Sequence, residues 1–168
     1  MEITNQLVLS QIMEPSQANA MGNVHGGEIM KLMDSSAAAV CIRYAKANCV
    51  TARVDEIDFH LPIMVGDLVT CTASLVYIGH SSLEVYVTVD TEDMKSAAGP
   101  RHALSAFFTL VCLGRDGKPK PVRPYTPMTP DEIKLYTLVE KRKIARGRIP
   151  HPERGADQIG RASCRERV

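Results

Sequence analysis

Tryptophan is absent from the 168 residues, phenylalanine occurs three times, and the charges nearly cancel, with 20 Lys plus Arg against 19 Asp plus Glu. A net charge of +1 offers no global field for gripping a nucleic acid, so any anion site must be local. No CxxC pair occurs. The five cysteines (Cys41, Cys49, Cys71, Cys112, Cys164) are odd in number and widely spaced, which argues against a disulfide framework or a zinc site and suits a reducing cytoplasm. Metal hydrolysis finds no support either, because His60, His80, His102 and His151 show no HxH or HExxH spacing. No serine sits in a GxSxG elbow, which disfavours an α/β-hydrolase. Uninterrupted apolar runs of membrane-spanning length are missing, and the N-terminus lacks a basic start followed by a long apolar stretch. The expectation is a cytoplasmic protein, neither secreted nor membrane-bound.

Hydrophobic residues make up 45% of the chain, and its length suits a single domain, expected over residues 1–148. β-Formers in residues 3–13 predict a first strand, and the Ala-, Met- and Leu-rich run from Glu28 to about Tyr44 predicts a helix buried on most of its circumference. Periodicity then changes to that of strands, near 49–60, 67–78 and 102–113. It is cleanest in SSLEVYVTVD, where Leu83, Val85, Val87 and Val89 alternate with Glu84, Tyr86, Thr88 and Asp90, predicting one wet face. One strand, one buried helix and a four-strand meander give an α+β fold, an antiparallel sheet wrapped around the helix. A last helix is announced by TPDE: Thr129 caps, Pro130 suits the first position, and Glu132 completes a capping box. Residues 149–168 lack periodicity and read as a disordered tail.

The stretch GNVHGGEIMKLMDSSAAAVCI places two glycines at a helix start and a lone carboxylate, Asp34, two turns further on. At 100° per residue, Asp34 shares a stripe with Met30, Ala38, Cys41 and Ala45. An unpaired carboxylate is costly to bury and, once desolvated, is a stronger base than one in water. Two readings stay open on position alone: a base, or a structural acid held by Lys31 or a neighbouring amide. The glycines bear on the choice. They admit close backbone approach, and the unpaired N–H groups of a first helical turn form a ready oxyanion site. Asp34 lies roughly 10–12 Å from those amides, too far for one carbonyl to touch both. A twofold partner that sets its Asp34 beside these glycines would complete the site, so a dimer with two composite sites is expected.

GNVHGGEIMKLMD, followed by VTARVDEIDFHLPIMVGDLV and GHSSLEVYV, resembles the hotdog-fold acyl-CoA thioesterases, in particular the cytosolic acyl-CoA hydrolase branch, across most of residues 5–145. The resemblance implies a hotdog fold, an antiparallel sheet curled around a long helix, that pairs and assembles further into a trimer of dimers. It implies that Asp34 is the general base or nucleophile, that Asn23 positions the attacking water, that the amides near Gly26 and Gly27 bind the oxyanion, and that His25 shapes the turn. The substrate implied is a fatty acyl-CoA, cleaved to fatty acid and coenzyme A. Coenzyme A is then part of the substrate, and no cofactor, metal, nucleic acid or membrane partner is implied.

Coenzyme A carries phosphates, for which Arg53, Ser81, Ser82 and the run Lys141, Arg142 and Lys143 are the candidates; the resemblance sets the Ser-Ser turn and the basic helix end toward the nucleotide. A charge run at a helix C-terminus also simply suits the dipole as a solvated face. The acyl tunnel is expected around Met30, Met33 and Ala37. Two other readings compete with hydrolysis. An acyl-CoA-binding sensor without turnover is disfavoured by the presence of both Asn23 and Asp34. A hotdog hydratase or dehydratase would pair a histidine with its carboxylate.

Overall fold

The computed structural model describes residues 5–55 and 57–145. The tail expected over 149–168, with His151 and Cys164, lies outside the described residues. β1 (Gln6–Ile12) leads through a single 3-10 turn to α1 (Gly26–Ala45), then β2 (Asn48–Val54), β3 (Leu68–Ile78), β4 (Ser82–Glu92), β5 (Arg101–Leu113) and α2 (Pro130–Ala145). The strands form one antiparallel sheet in the order β1-β3-β4-β5-β2.

This order corrects the expected four-strand meander. Only β3, β4 and β5 run as one, while β2 crosses to the far edge and pairs with β5. Nor does β2 extend to residue 60: it stops at Val54. Beyond it, among the described residues, the chain keeps isolated backbone bonds to β5, from Asp55 N–H to the Phe107 carbonyl and from His60 N–H to that of Ala103. Pro62, which has no N–H to donate, follows.

α1 lies against the concave face of the sheet. Its interior holds no proline, and no glycine after Gly27, and it ends where Lys46 turns left-handed (φ 52°) and donates its N–H to the Ile42 carbonyl. Ile29, Met33, Ala37, Val40, Cys41 and Tyr44 form its buried face. They meet the inward residues Val69, Cys71, Ala73 and Leu75 of β3, Leu83, Val85, Val87 and Val89 of β4, and Leu104, Ala106, Phe108 and Leu110 of β5. Small side chains at Ala37, Ala73 and Ala106 let helix and sheet approach closely, and each large residue buried there contributes about 1.5–3 kcal/mol. The helix expected to be buried on most of its circumference keeps Met30 and Ile42 exposed in the single chain. Among the described residues no helix is long and apolar enough to cross a membrane.

α2 packs on the other face, where Val139 and Leu135 meet Val76, Tyr77, Tyr86 and Phe107. The wet face expected for β4 is therefore partly covered, and Glu84 is only 5% exposed. The start of α2 follows the capping-box expectation: Glu132 N–H donates to Thr129 Oγ1 at 3.2 Å, and the Glu132 carboxylate accepts from the N–H groups of Met128 and Thr129 at 2.8 and 2.9 Å.

Two outcomes follow for stability. Leu110→Ala, at a fully buried position, should cost about 2–5 kcal/mol in urea unfolding. The Met128 N–H, then that of Thr129, hold the Glu132 carboxyl below its ordinary range. A depressed folded value means that this contribution is full above the unfolded carboxylate range and is lost as pH falls through the folded value. Acid should therefore weaken α2 docking less in Glu132→Gln, which has no charge left to lose, as read from helical signal against pH.

Candidate active site

Two rings shape the start of α1. His25 is the N-cap, and its Nδ1 accepts the Gly27 N–H at 2.9 Å while its carbonyl accepts the Glu28 N–H at 2.9 Å. A β-carbon at Gly27 would lie 3.0 Å from that Nδ1, and one at Gly26 would lie 3.3 Å from Cζ of Phe59. Both positions favour glycine, because a β-carbon would make the imidazole or the phenyl ring give way by a few tenths of an ångström. Of the two amides expected at an oxyanion site, Gly27 is thus engaged by His25, and Gly26 makes no hydrogen bond among the described residues.

The turn before the helix is tied at several points. Asn19 Oδ1 accepts the N–H groups of Met21 and Asn23 at 2.9 and 3.2 Å, the Asn19 N–H donates to the Asn23 carbonyl, and Val24 N–H donates to that of Ile63. Asn19, Asn23 and Gly26 line a cavity of about 310 Å³ together with His60 and with apolar walls that include Val24, Ile29 and Phe59. Met33 and Ala37, expected to line a tunnel, are fully buried against the sheet instead, and Met30 is exposed.

Asp34 is half-buried and does not line that cavity. It sits eight residues after Gly26, about 12 Å along the helix axis. Its partner is neither Lys31 nor a neighbouring amide: Thr51 Oγ1 donates to Asp34 Oδ1 at 2.5 Å, the length of a charge-assisted bond. Sequence reasoning passed over Thr51, as it did Asn19 and Phe59. A bulge in β2 aims it. Cys49 and Thr51 pair with Cys112 and Leu110, which belong to the core facing the helix. At Ala52 the register slips, so that Arg53 pairs with Thr109 and points to the opposite face.

Arg53 there meets Asp55 at 3.2 Å, and Arg142 reaches the same carboxylate at 2.9 Å. Lys143 pairs with Glu84 at 3.2 Å while Thr109 donates to the other Glu84 oxygen at 2.9 Å. The two helix cations also lie over the rings of Phe107 and Tyr77, each 4.3 Å from the centroid. Arg142 and Lys143 thereby clamp α2 to the sheet, while Lys141 is exposed. Ser82 and Lys143 come together at the Gly79 turn, where a β-carbon would lie 2.7 Å from the serine Oγ and 3.8 Å from the lysine Nζ. Ser81 offers its carbonyl to the Cys112 N–H.

Thiol chemistry has little footing, since burial pushes the Cys49 and Cys71 thiols up to about 12 and raises that of Cys41 as well. Among the described residues, no group of three or more His, Cys, Asp or Glu side chains could hold a metal ion.

The sequence profile of the thioesterase superfamily matches residues 21–98. Protein VdlD of Helicobacter pylori is 39% identical over 143 residues, which cover 85% of this chain and 81% of VdlD. The chain belongs to the thioesterase superfamily. Its curled sheet around a long helix is the hotdog fold of that superfamily. A cytosolic acyl coenzyme A thioester hydrolase of Mus musculus is 41% identical over 133 residues, 79% of this chain and 35% of the mouse protein. An apo-hexameric acyl-CoA thioesterase superposes with a TM-score of 0.80 at 30% identity, covering 84% of this chain and 90% of that one. The acyl-CoA hydrolase of Staphylococcus aureus, solved with butyryl-CoA, coenzyme A and coenzyme A disulfide, superposes with a TM-score of 0.76 at 29% identity, covering 96% of this chain and 93% of that one. That enzyme has also been solved as single alanine variants of an asparagine, an aspartate and a threonine, in that order, fifteen and seventeen residues apart.

The ion pairs generate a test that separates clamp from ligand site. Lys143→Met strips the largely buried Glu84 carboxylate of its cation and should cost about 1–3 kcal/mol in urea unfolding. Lys141→Met, at an exposed position, should stay within about 0.5 kcal/mol.

Proposed function

We propose that this protein hydrolyses acyl-CoA thioesters to a free acid and coenzyme A, with Asp34 as the general base. The observation that carries the reading is the Thr51–Asp34 hydrogen bond. Asn19, Asp34 and Thr51 stand fifteen and seventeen residues apart, the residue types and intervals of the three variants known for the Staphylococcus enzyme. Thr51 holds Oδ1 and leaves Oδ2 to take a proton from water. The thioester carbonyl accepts the Gly26 N–H at the positive end of α1, which stabilises the oxyanion that forms as water attacks. Collapse of the tetrahedral intermediate expels the CoA thiolate, which takes up the proton that Asp34 removed from water, so the carboxylate is regenerated. No cofactor enters this sequence of steps, since coenzyme A is half of the substrate. His25 acts on the turn as its cap.

Asn19 and Asn23 both line the cavity, and both can hold the water. We assign the larger part to Asn19. Two backbone N–H groups fix its Oδ1, so its Nδ2 has a set direction, and the intervals above favour it. Arg53, Ser81, Ser82 and Lys141 to Lys143 remain the group proposed for the CoA phosphates, with exposed Lys141 carrying more of that contact than the clamped Arg142 and Lys143.

About 12 Å separates Gly26 from Asp34 of one chain, so a carbonyl held at Gly26 needs the Asp34 and Thr51 of a twofold partner. Exposed Met30, Ile42 and Val54, together with the free edge of β2, offer the surface for that partner. Hexameric relatives support a trimer of such dimers, and the cytosolic mouse relative supports a cytoplasmic location.

Thiol release from acyl-CoAs of two to eighteen carbons tests this directly. Asp34→Asn should lower kcat by about 10²–10⁴ without unfolding the protein, Thr51→Val should lower it by roughly tenfold, and Asn19→Ala should cost more than Asn23→Ala. A wild-type protein that binds acyl-CoA and releases no thiol would sink the hydrolase reading in favour of a sensor.

A further inference from the structure

Phe59 is one of three phenylalanines, and it is 47% exposed in the irregular segment between β2 and β3. An aromatic ring left half in water has an unspent hydrophobic gain of well over 1 kcal/mol, so its position needs a cause. The neighbouring backbone holds it in place, because the His60 N–H donates to the Ala103 carbonyl at 2.9 Å. Its tip then points at Gly26: a β-carbon there would lie 3.3, 3.7 and 3.9 Å from Cζ, Cε2 and Cε1.

The edge of a phenyl ring carries partial positive charge and no acceptor, so it can cover an N–H group without satisfying it. His25 already takes the Gly27 N–H. Among the described residues Gly26 is left as the amide of the glycine pair with no hydrogen bond, and it lines the cavity together with Phe59, whose ring edge lies 3.3 Å from where a Gly26 β-carbon would be. We propose that Phe59 is a positioning residue, whose ring walls one side of the Gly26 N–H, limits the water that reaches it and leaves its cavity side open to the thioester oxygen. The proposal rests on the hydrolase reading. A donor shielded from water interacts more strongly with developing negative charge and has no hydration to lose during the reaction. The ring also accounts for the first glycine of the pair, since a β-carbon at that position would press on it at 3.3 Å.

Acetyl- and butyryl-CoA are the substrates of choice, because chains this short gain little from the cavity wall. Phe59→Ala should lower kcat on both by about tenfold or more, with KM changed by less than about threefold, and Phe59→Leu should recover most of the loss. Amide exchange at Gly26, followed by NMR in the enzyme without substrate, should accelerate by about tenfold in Phe59→Ala. Gly26→Ala should reduce kcat in the wild-type background and add little in Phe59→Ala, because the wedge and the deletion displace the same ring. Unchanged kcat in a folded Phe59→Ala, a loss confined to KM, or unchanged Gly26 exchange overturns the proposal while leaving the hydrolase reading intact. Absence of hydrolysis by the wild type overturns the hydrolase reading itself, and with it any role for the ring in binding an oxyanion.

Discussion

The seating of α1 on the concave face of the sheet is the constraint on which the site depends. Ala37, Ala73 and Ala106 bring helix and strands together, and the fully buried Met33, Val40 and Leu110 leave the helix no freedom to slide or roll. The axial rise then fixes the start of the helix and its carboxylate about 12 Å apart, on one rigid body. Loop motion cannot close such a gap, because neither end is on a loop. A second chain is the remaining way to bring an acid to a carbonyl held at Gly26. The surface that α1 leaves open, with Met30 and Ile42, flanks Asp34 in the sequence and along the helix.

The same rigid frame gives β2 two tasks. Before the bulge at Ala52, Cys49 and Thr51 face the helix side, and Thr51 reaches Asp34. After it, Arg53 faces the opposite side and joins Asp55 and Arg142 under α2. One slipped residue thus keeps the cations of the α2 side away from the carboxylate. An arginine on the Asp34 side would compete with Thr51 for that carboxylate, neutralise it and make it a weaker base. A hydroxyl donor orients the carboxylate and leaves its charge in place.

What could be read in the sequence was local. Strand and helix order, the Thr129 to Glu132 capping box and the placing of Asp34 on a helical stripe all follow from patterns within about ten residues. What escaped was set by pairings over longer distances. Periodicity says that residues near 50 form a strand, but nothing in it says that this strand lies beside β5, and so the meander was wrong. Alternation set Glu84 on a wet face, yet α2, coming more than forty residues later, covers it. Lys143 and Arg142 were legible as a charge run and illegible as a clamp for the same reason. Thr51 is a β-former at an ordinary strand position, and only the fold shows that it faces Asp34. Asn19 had a fainter local signal, an asparagine beginning a turn four residues before a second one.

The glycine pair shows how a short motif can carry more than backbone freedom. Neither Gly26 nor Gly27 adopts a left-handed conformation, so the usual reason for glycine does not apply to them. Their shared reason is room, for His25 on one and Phe59 on the other. The two rings bear differently on the two amides. The imidazole accepts an N–H and removes it from the site; a phenyl edge has no acceptor to offer, and the Gly26 N–H makes no hydrogen bond among the described residues. Two equivalent donors at a helix start thereby become one satisfied and one waiting. An unsatisfied amide of this kind costs the free protein something, on the order of 1 kcal/mol. A bound oxygen that gains negative charge as the reaction proceeds recovers that cost, and it recovers most where the charge is greatest, at the tetrahedral stage.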